Sequence, residues 1–185
     1  DLVPFDISAT EQIARIRSEM GANVRNADVA YISDAPVVLS DLVANDYLVG
    51  YVPPAFADRV PAEFQAPLLG HRLSTKVLMY NEEAYPDGSP VTNLWQLTLP
   101  EWRGKVVMVD PLVRGDYLDL MTEIVLREGE MAQAYEAQFG EPVTLSGGAQ
   151  NAGEQFIIDL FANDVVLVNN TDAVNAAVGA VGQPN

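Results

Sequence analysis

Lys105-Val106-Val107-Met108-Val109-Asp110-Pro111-Leu112-Val113-Arg114-Gly115-Asp116-Tyr117 is the run from which the fold is read. Lys105 to Val109 is a short β-prone stretch, and Asp110-Pro111 stops it. Small and polar residues then open a helix expected from about Tyr117 to Arg127. The same device returns at Val165-Val166-Leu167-Val168, a fully apolar run of the kind that suits a buried parallel strand. Asn169-Asn170-Thr171-Asp172 and a short helix through Ala177 follow it. Between these two units the pattern predicts helices from about Glu130 to Phe139 and from about Gly153 to Phe161. Strands alternating with helices imply an α/β fold with largely parallel sheets.

Working outward, the N-terminal half reads in the same way. Residues 2–7 look like a strand, and Ser8 stands three residues before Glu11, the spacing of a capping box. Ile13, Ile16 and Met20 give that helix an apolar face, and Gly21 stops it. Further strands are expected at 28–32, 48–52 and 73–80, with a helix carrying Val37, Val38, Leu42 and Val43 between the first two. Pro53-Pro54 opens a surface excursion to residue 70. A short helix is expected from Asn93 to Leu97, then a turn at 100–104. The crossover near Tyr80 divides the chain into a partial first lobe (1–80), a second lobe (81–178) and the start of a return to the first (179–185).

Composition narrows the function. The 185 residues are 49% hydrophobic and 19% charged, a globular balance. Ten Lys and Arg face 26 Asp and Glu, a formal net charge of -16. That balance argues against nucleic acid and against an anionic membrane surface as partners, since both need clustered cations. With no cysteine and one histidine, thiolate metal sites, disulfides and multi-His cages are excluded. No apolar run approaches the ~18 residues of a membrane span.

Candidate chemistry lies where strands end and helices begin, because in a parallel α/β sheet these points share one edge. Helix starts offer unpaired N–H groups and partial positive charge, so they can hold a small anion; ordinary N-capping is the plainer account of any one of them. Arg114 is among only ten basic residues and stands beside Gly115 just before a helix. Its guanidinium can grip an anion through two donors, or simply pair with Asp116 or Asp119. Asp116 can cap the helix or receive an ammonium, and Tyr117 can stack on a guest. His71 reads as an ordinary surface or core histidine, and Glu82-Glu83 as solvated loop charges. Trp95 and Trp102 read as packing anchors. Gly147-Gly148 lacks the flanking pattern of a phosphate loop. No paired acid and base suggests catalysis, and no cofactor or metal site is expected.

Asn93-Leu94-Trp95-Gln96-Leu97 and Pro100-Glu101-Trp102-Arg103-Gly104-Lys105, leading through the strand to Asp110-Pro111, closely resemble a run in solute-binding proteins of ABC importers. The likeness is to the class II ferric-iron, spermidine and phosphonate group, where such a run opens the second lobe. Ala27-Asp28-Val29 and Leu78-Met79-Tyr80-Asn81 are similar to that group's first-lobe and crossover strands. The resemblance implies a two-lobed periplasmic-binding-protein-like fold, its first lobe incomplete here, closing on a small polar solute. It implies an exported, periplasmic, monomeric protein that is not an enzyme and that delivers its solute to a membrane permease. Position by position it implies ligand contacts at Thr10, Ser33, Asp34, Tyr80, Asn81, Arg114, Gly115, Asp116, Tyr117, Asn169, Asn170, Thr171 and Asp172.

Two departures refine this expectation. Iron-binding members carry adjacent tyrosines after the last second-lobe strand, where this chain has Asn169-Asn170-Thr171-Asp172, which argues against ferric iron. Family members are also much longer, so the chain is expected to be a partial one. An anionic or zwitterionic guest would use Arg114 and the helix starts; a cation such as a polyamine would use Asp34, Asp116 and Asp172. Two other readings share the architecture: a ligand-sensing domain, and an enzyme with Asp110 or Asp116 as base.

Overall fold

The computed structural model describes residues 3–180, which divide into two compact units meeting in sequence at Thr75 and Lys76. Leu2 and most of the expected return segment, 181–185, lie outside the described residues.

The first unit is built on helix α1 (Ala9–Gly21). Its capping box forms as the spacing predicts. The Glu11 amide donates to Ser8 Oγ at 3.2 Å, and the Ser8 amide donates to Glu11 Oε2 at 3.0 Å. Ile13, on the inner face, is buried against Val38 and Leu42, with Ile16, Ile32, Val43, Tyr47, Leu48 and Leu68 around them. Val38 and Leu42 belong to a π-helical turn, Val38–Val43, that continues the three-residue helix α2 (Ala35–Val37). An Arg17–Asp41 ion pair joins α1 to that turn. Helix α3 (Pro54–Ala57) starts on proline, whose missing N–H costs nothing in a first turn.

The strands expected at 28–32, 48–52 and 73–80 do not form among the described residues, and neither does one at 3–7. Val29, Tyr31, Val49, Tyr51 and Leu73 stand exposed. An apolar β-prone run becomes a strand only when a neighbour supplies the ladder, and no local pattern encodes that neighbour. The sheet is accordingly smaller than expected.

The second unit holds a two-stranded parallel sheet, β1 (Val107–Val109) beside β2 (Val166–Val168). Val107 is registered with Val166, and Val109 with Val168. Three helices separate the strands in sequence: α4 (Gly115–Leu126), α5 (Glu128–Phe139) and α6 (Ala152–Ala162). Helix α7 (Thr171–Gly179) follows β2. The fold is thus mixed helix with a small parallel sheet, an α/β arrangement. The apolar run of β2 predicts full burial, yet Val166 is 47% and Leu167 41% exposed, because β1 is its only ladder partner among the described residues.

The core of this unit is Trp95, fully buried within a 3₁₀ turn (Leu94–Thr98). Its indole Nε1 donates to the Met131 carbonyl at 2.9 Å. Tyr135 and Phe156 meet its ring edge-to-face, with centroids at 4.8 and 5.2 Å. Leu97, Met131, Ala152 and Leu160 complete the cluster, and partly buried Trp102 packs against it while stacking on Tyr85. Both tryptophans are packing anchors. Asn163, also buried, donates from Nδ2 to the Leu97 and Leu99 carbonyls, each at 2.8 Å.

Helices α4 and α6 approach closely at Gly153, where a Cβ would lie 2.3 Å from the Ile124 carbonyl oxygen and 2.7 Å from Val125 Cα. Backbone cannot retreat as a side chain can. Gly153→Ala should therefore destabilise this unit by about 2–3 kcal/mol, read as a lower urea midpoint at unchanged slope. Asn163→Leu, close in size, should cost about 2–3 kcal/mol in the same measurement by stranding two carbonyls; a change below about 0.5 kcal/mol would mean that water replaces the amide.

Candidate functional site

Because β1 and β2 run in parallel, their C-terminal ends lie side by side. The Asp110 amide donates to the Val168 carbonyl at 2.9 Å, which holds the two exits together. From one exit the chain turns through Asp110-Pro111 into α4; from the other it turns through Asn169-Asn170 into α7. Asp110 builds the first turn, its Oδ1 accepting from the Leu112 amide at 2.8 Å and its carbonyl from the Val113 and Arg114 amides at 3.1 and 3.2 Å. Asn170 caps the second helix, its Oδ1 accepting from the Ala173 amide at 2.8 Å. Both turns therefore deliver a helix start to this edge of the sheet.

Arg114 bridges them. Its Nη1 donates to Thr171 Oγ1 at 3.0 Å. On its other side Nε donates to Asp116 Oδ1 at 3.0 Å and Nη2 to Asp116 Oδ2 at 2.8 Å, a two-pronged grip. Lys76 joins the same carboxylate through Asp116 Oδ2. Its ammonium lies 4.1 Å from the centre of the Tyr117 ring, and the Arg114 guanidinium carbon lies 5.5 Å from it. The side chains of Asp116, Lys76 and Arg114 are 27%, 34% and 39% exposed, so water reaches but does not flood them.

Four of the residues expected from sequence, Arg114, Asp116, Tyr117 and Thr171, thus meet in one cluster. Gly115 is the first residue of α4 beside them, and Asn169, Asn170 and Asp172 are the chain neighbours of Thr171, in the turn and first turn of α7. Asn81 is occupied elsewhere. Its Nδ2 donates to the Val178 and Ala180 carbonyls at 3.0 and 3.2 Å, closing the far end of α7. At 1.5 Å per residue that is about 12 Å from Thr171. Tyr80 precedes it, exposed. Thr10, Ser33 and Asp34 belong to the first unit. Thr10 is exposed in the first turn of α1, where Ser8 rather than Thr10 makes the cap; Ser33 is exposed in a bend, and Asp34 takes a left-handed backbone with φ 63° before α2.

Lys76 is the site residue that sequence reasoning passed over. Its signal was available: a single cation inside the β-prone run Leu73 to Tyr80, in a chain with only ten basic residues.

The balance of charge sets this cluster apart. Among the described ion pairs, Arg15 faces Glu19, Arg17 faces Asp41, Arg103 faces Asp164, and Arg127 faces both Glu123 and Glu130. Each of those groups has at least one carboxylate per cation. Here two cations share one carboxylate, so the three ion-paired side chains sum to +1 in a chain of net -16, with Asp110 and Asp172 in the adjoining turns. The Asp116 carboxyl feels opposing influences. Burial raises its pKa, but the Lys76 hydrogen bond and the Arg114 and Lys76 charges together outweigh burial and hold it below the ordinary value.

Two surface hollows have linings that include none of the cluster residues, one of about 330 Å³ in the second unit beside Glu128, Ala132 and Leu145 and one of about 300 Å³ in the first unit beside Phe56, Leu69 and His71. Neither gathers a set of charges. No group of three or more potential metal ligands occurs among the described residues, and no described helix is long and apolar enough to cross a membrane. No protein-family model, curated protein or solved structure matches the chain.

The lowered pKa has a direct readout. A carboxyl depressed in the folded state stabilises the fold above its unfolded pKa, and that contribution disappears as pH falls through the folded value. The Asp116 side-chain carboxyl, followed by carbon NMR, should titrate below an ordinary aspartate, and Lys76→Gln should move its midpoint upward. An unmoved midpoint would mean that Lys76 does not touch Asp116 in solution.

Proposed function

We propose that this protein is an extracytoplasmic solute-binding protein that captures a small anionic or zwitterionic molecule and hands it to an ABC-importer permease. The observation that carries this reading is the cation excess at the paired starts of α4 and α7, where Lys76 and Arg114 share Asp116. A free anion is drawn to a site with uncompensated positive charge and hydroxyl and amide donors close by. A polyamine is disfavoured there, because Asp116, the acid that would receive it, is already held by two cations. Its lowered pKa likewise makes it a weak proton acceptor, which speaks against the reading of Asp116 as a catalytic base. Asp110 commits its carboxylate to the turn before α4.

In this reading Arg114, Thr171 and the adjoining helix starts hold the guest from the second unit, and Tyr117 lines it. Thr10, Ser33 and Asp34 are the proposed contributors from the first unit, and closure of two lobes around the guest is the proposed mechanism. The permease partner, the periplasmic location and the two-lobed class II architecture rest on the resemblance of the Asn93–Pro111 run.

Native mass spectrometry of the protein as purified should reveal a retained small molecule bearing a carboxylate or another anionic group. For that molecule, Arg114→Ala should weaken binding by about 1.5–3 kcal/mol in calorimetry, the scale of charge-assisted hydrogen bonds. A guest without negative charge, or a dissociation constant indifferent to Arg114→Ala, would sink the proposal.

A further inference from the structure

Asp116 occupies the place that an anionic guest would be expected to take. Its two oxygens accept the Nε and Nη2 donors of Arg114, the pair of N–H groups that would grip a carboxylate or phosphate. It also takes the Lys76 ammonium. Only Arg114 Nη1 looks elsewhere, toward Thr171. The arrangement is that of an anion site already half filled by the protein's own carboxylate.

We propose that Asp116 is an internal counter-ion that sets the charge of the guest, so that the Lys76–Arg114 cluster selects monoanions over dianions. This rests on the anion-binding reading above. With Lys76 and Arg114 charged and Asp116 ionised, the cluster carries +1. A monoanion brings it to neutrality. A dianion drives it to -1, in a chain whose net charge is already -16 and beside Asp172, which adjoins Thr171. The cluster is partly shielded from water, so the second negative charge is screened less than it would be in bulk. Asp116 also competes for the Arg114 donors, so a guest must share or displace it. Removing the Asp116 charge lifts the cluster to +2 and frees the grip. Removing Lys76 as well returns the cluster to +1 by a different route.

The test uses acetate and sulfate as probes at pH 7 and constant ionic strength, with binding followed through the Arg114 Nε–H signal in nitrogen-resolved NMR. Wild type should bind acetate at least as tightly as sulfate. Asp116→Asn should shift the ratio of the two affinities toward sulfate by about tenfold, the scale of one unit charge a few ångström away in a partly solvated site. The double variant Lys76→Gln with Asp116→Asn should restore the wild-type ratio, which a merely structural effect of Asp116→Asn would not do. Lys76→Gln alone, which leaves α4 intact, should lose sulfate more than acetate. A ratio unmoved by Asp116→Asn, or unrestored in the double variant, overturns this inference while leaving an anion site in place. No response to either anion in wild type and Asp116→Asn alike overturns the anion reading beneath it.

Discussion

The buried side-chain amide of Asn163 is the fixed point from which the rest of the second unit is laid out. Its Nδ2 holds the Leu97 and Leu99 carbonyls, and its backbone carbonyl accepts from the Gly104 amide at 3.0 Å. Residues 97–104 lead into β1, and residues 164–165 lead from Asn163 into β2. One residue therefore anchors the approach to both strands. With the start of each strand pinned, the register Val107 to Val166 follows, and with it the alignment of the two strand exits. Trp95 holds the same assembly from the other side by fastening the 3₁₀ turn to the Met131 carbonyl. Slippage of one residue would turn every side chain of a strand to the opposite face and part Arg114 from Thr171.

The charge cluster thus depends on packing some distance away, and its own energetics are modest. Partly exposed ion pairs contribute little to stability on their own. Their value here is positional. The chain places a cation excess at the adjoining starts of α4 and α7, where the helix termini add positive potential of the same sign. Diffuse acidity over the remaining surface does not cancel it, because screening confines distant charges to a range of about 8 Å at physiological salt. A net acidic protein can therefore hold an anion at one point.

Much of this was legible in the sequence wherever the determining information is local. The capping box at Ser8 and Glu11, the helix starts near Gly115, Ala152 and Thr171, and the strands around Met108 and Leu167 lie within a few residues of expectation. The runs at 28–32, 48–52 and 73–80 failed because strand formation is a statement about a neighbour, which no run of Val, Leu and Tyr can name. The partnership of Arg114 with Asp116 was foreseeable at a separation of two residues. Lys76 stood out as a lone cation in its run, but its partner did not, because that carboxylate is 40 residues away and nothing local names it.

The two cations differ in how firmly they are committed. Arg114 is tied by three hydrogen bonds to two residues on two different helices, so its planar fork has one geometry that satisfies it. Lys76 has one carboxylate oxygen and the face of Tyr117, and an ammonium on a four-carbon stem rotates its donors freely. Moving Lys76 costs a partly solvated ion pair and a cation–π contact, whereas moving Arg114 also uncouples α4 from α7. This edge therefore presents a fixed guanidinium and an adjustable ammonium: Lys76 can turn from Asp116 at small cost, while Arg114 keeps the two helix starts in place.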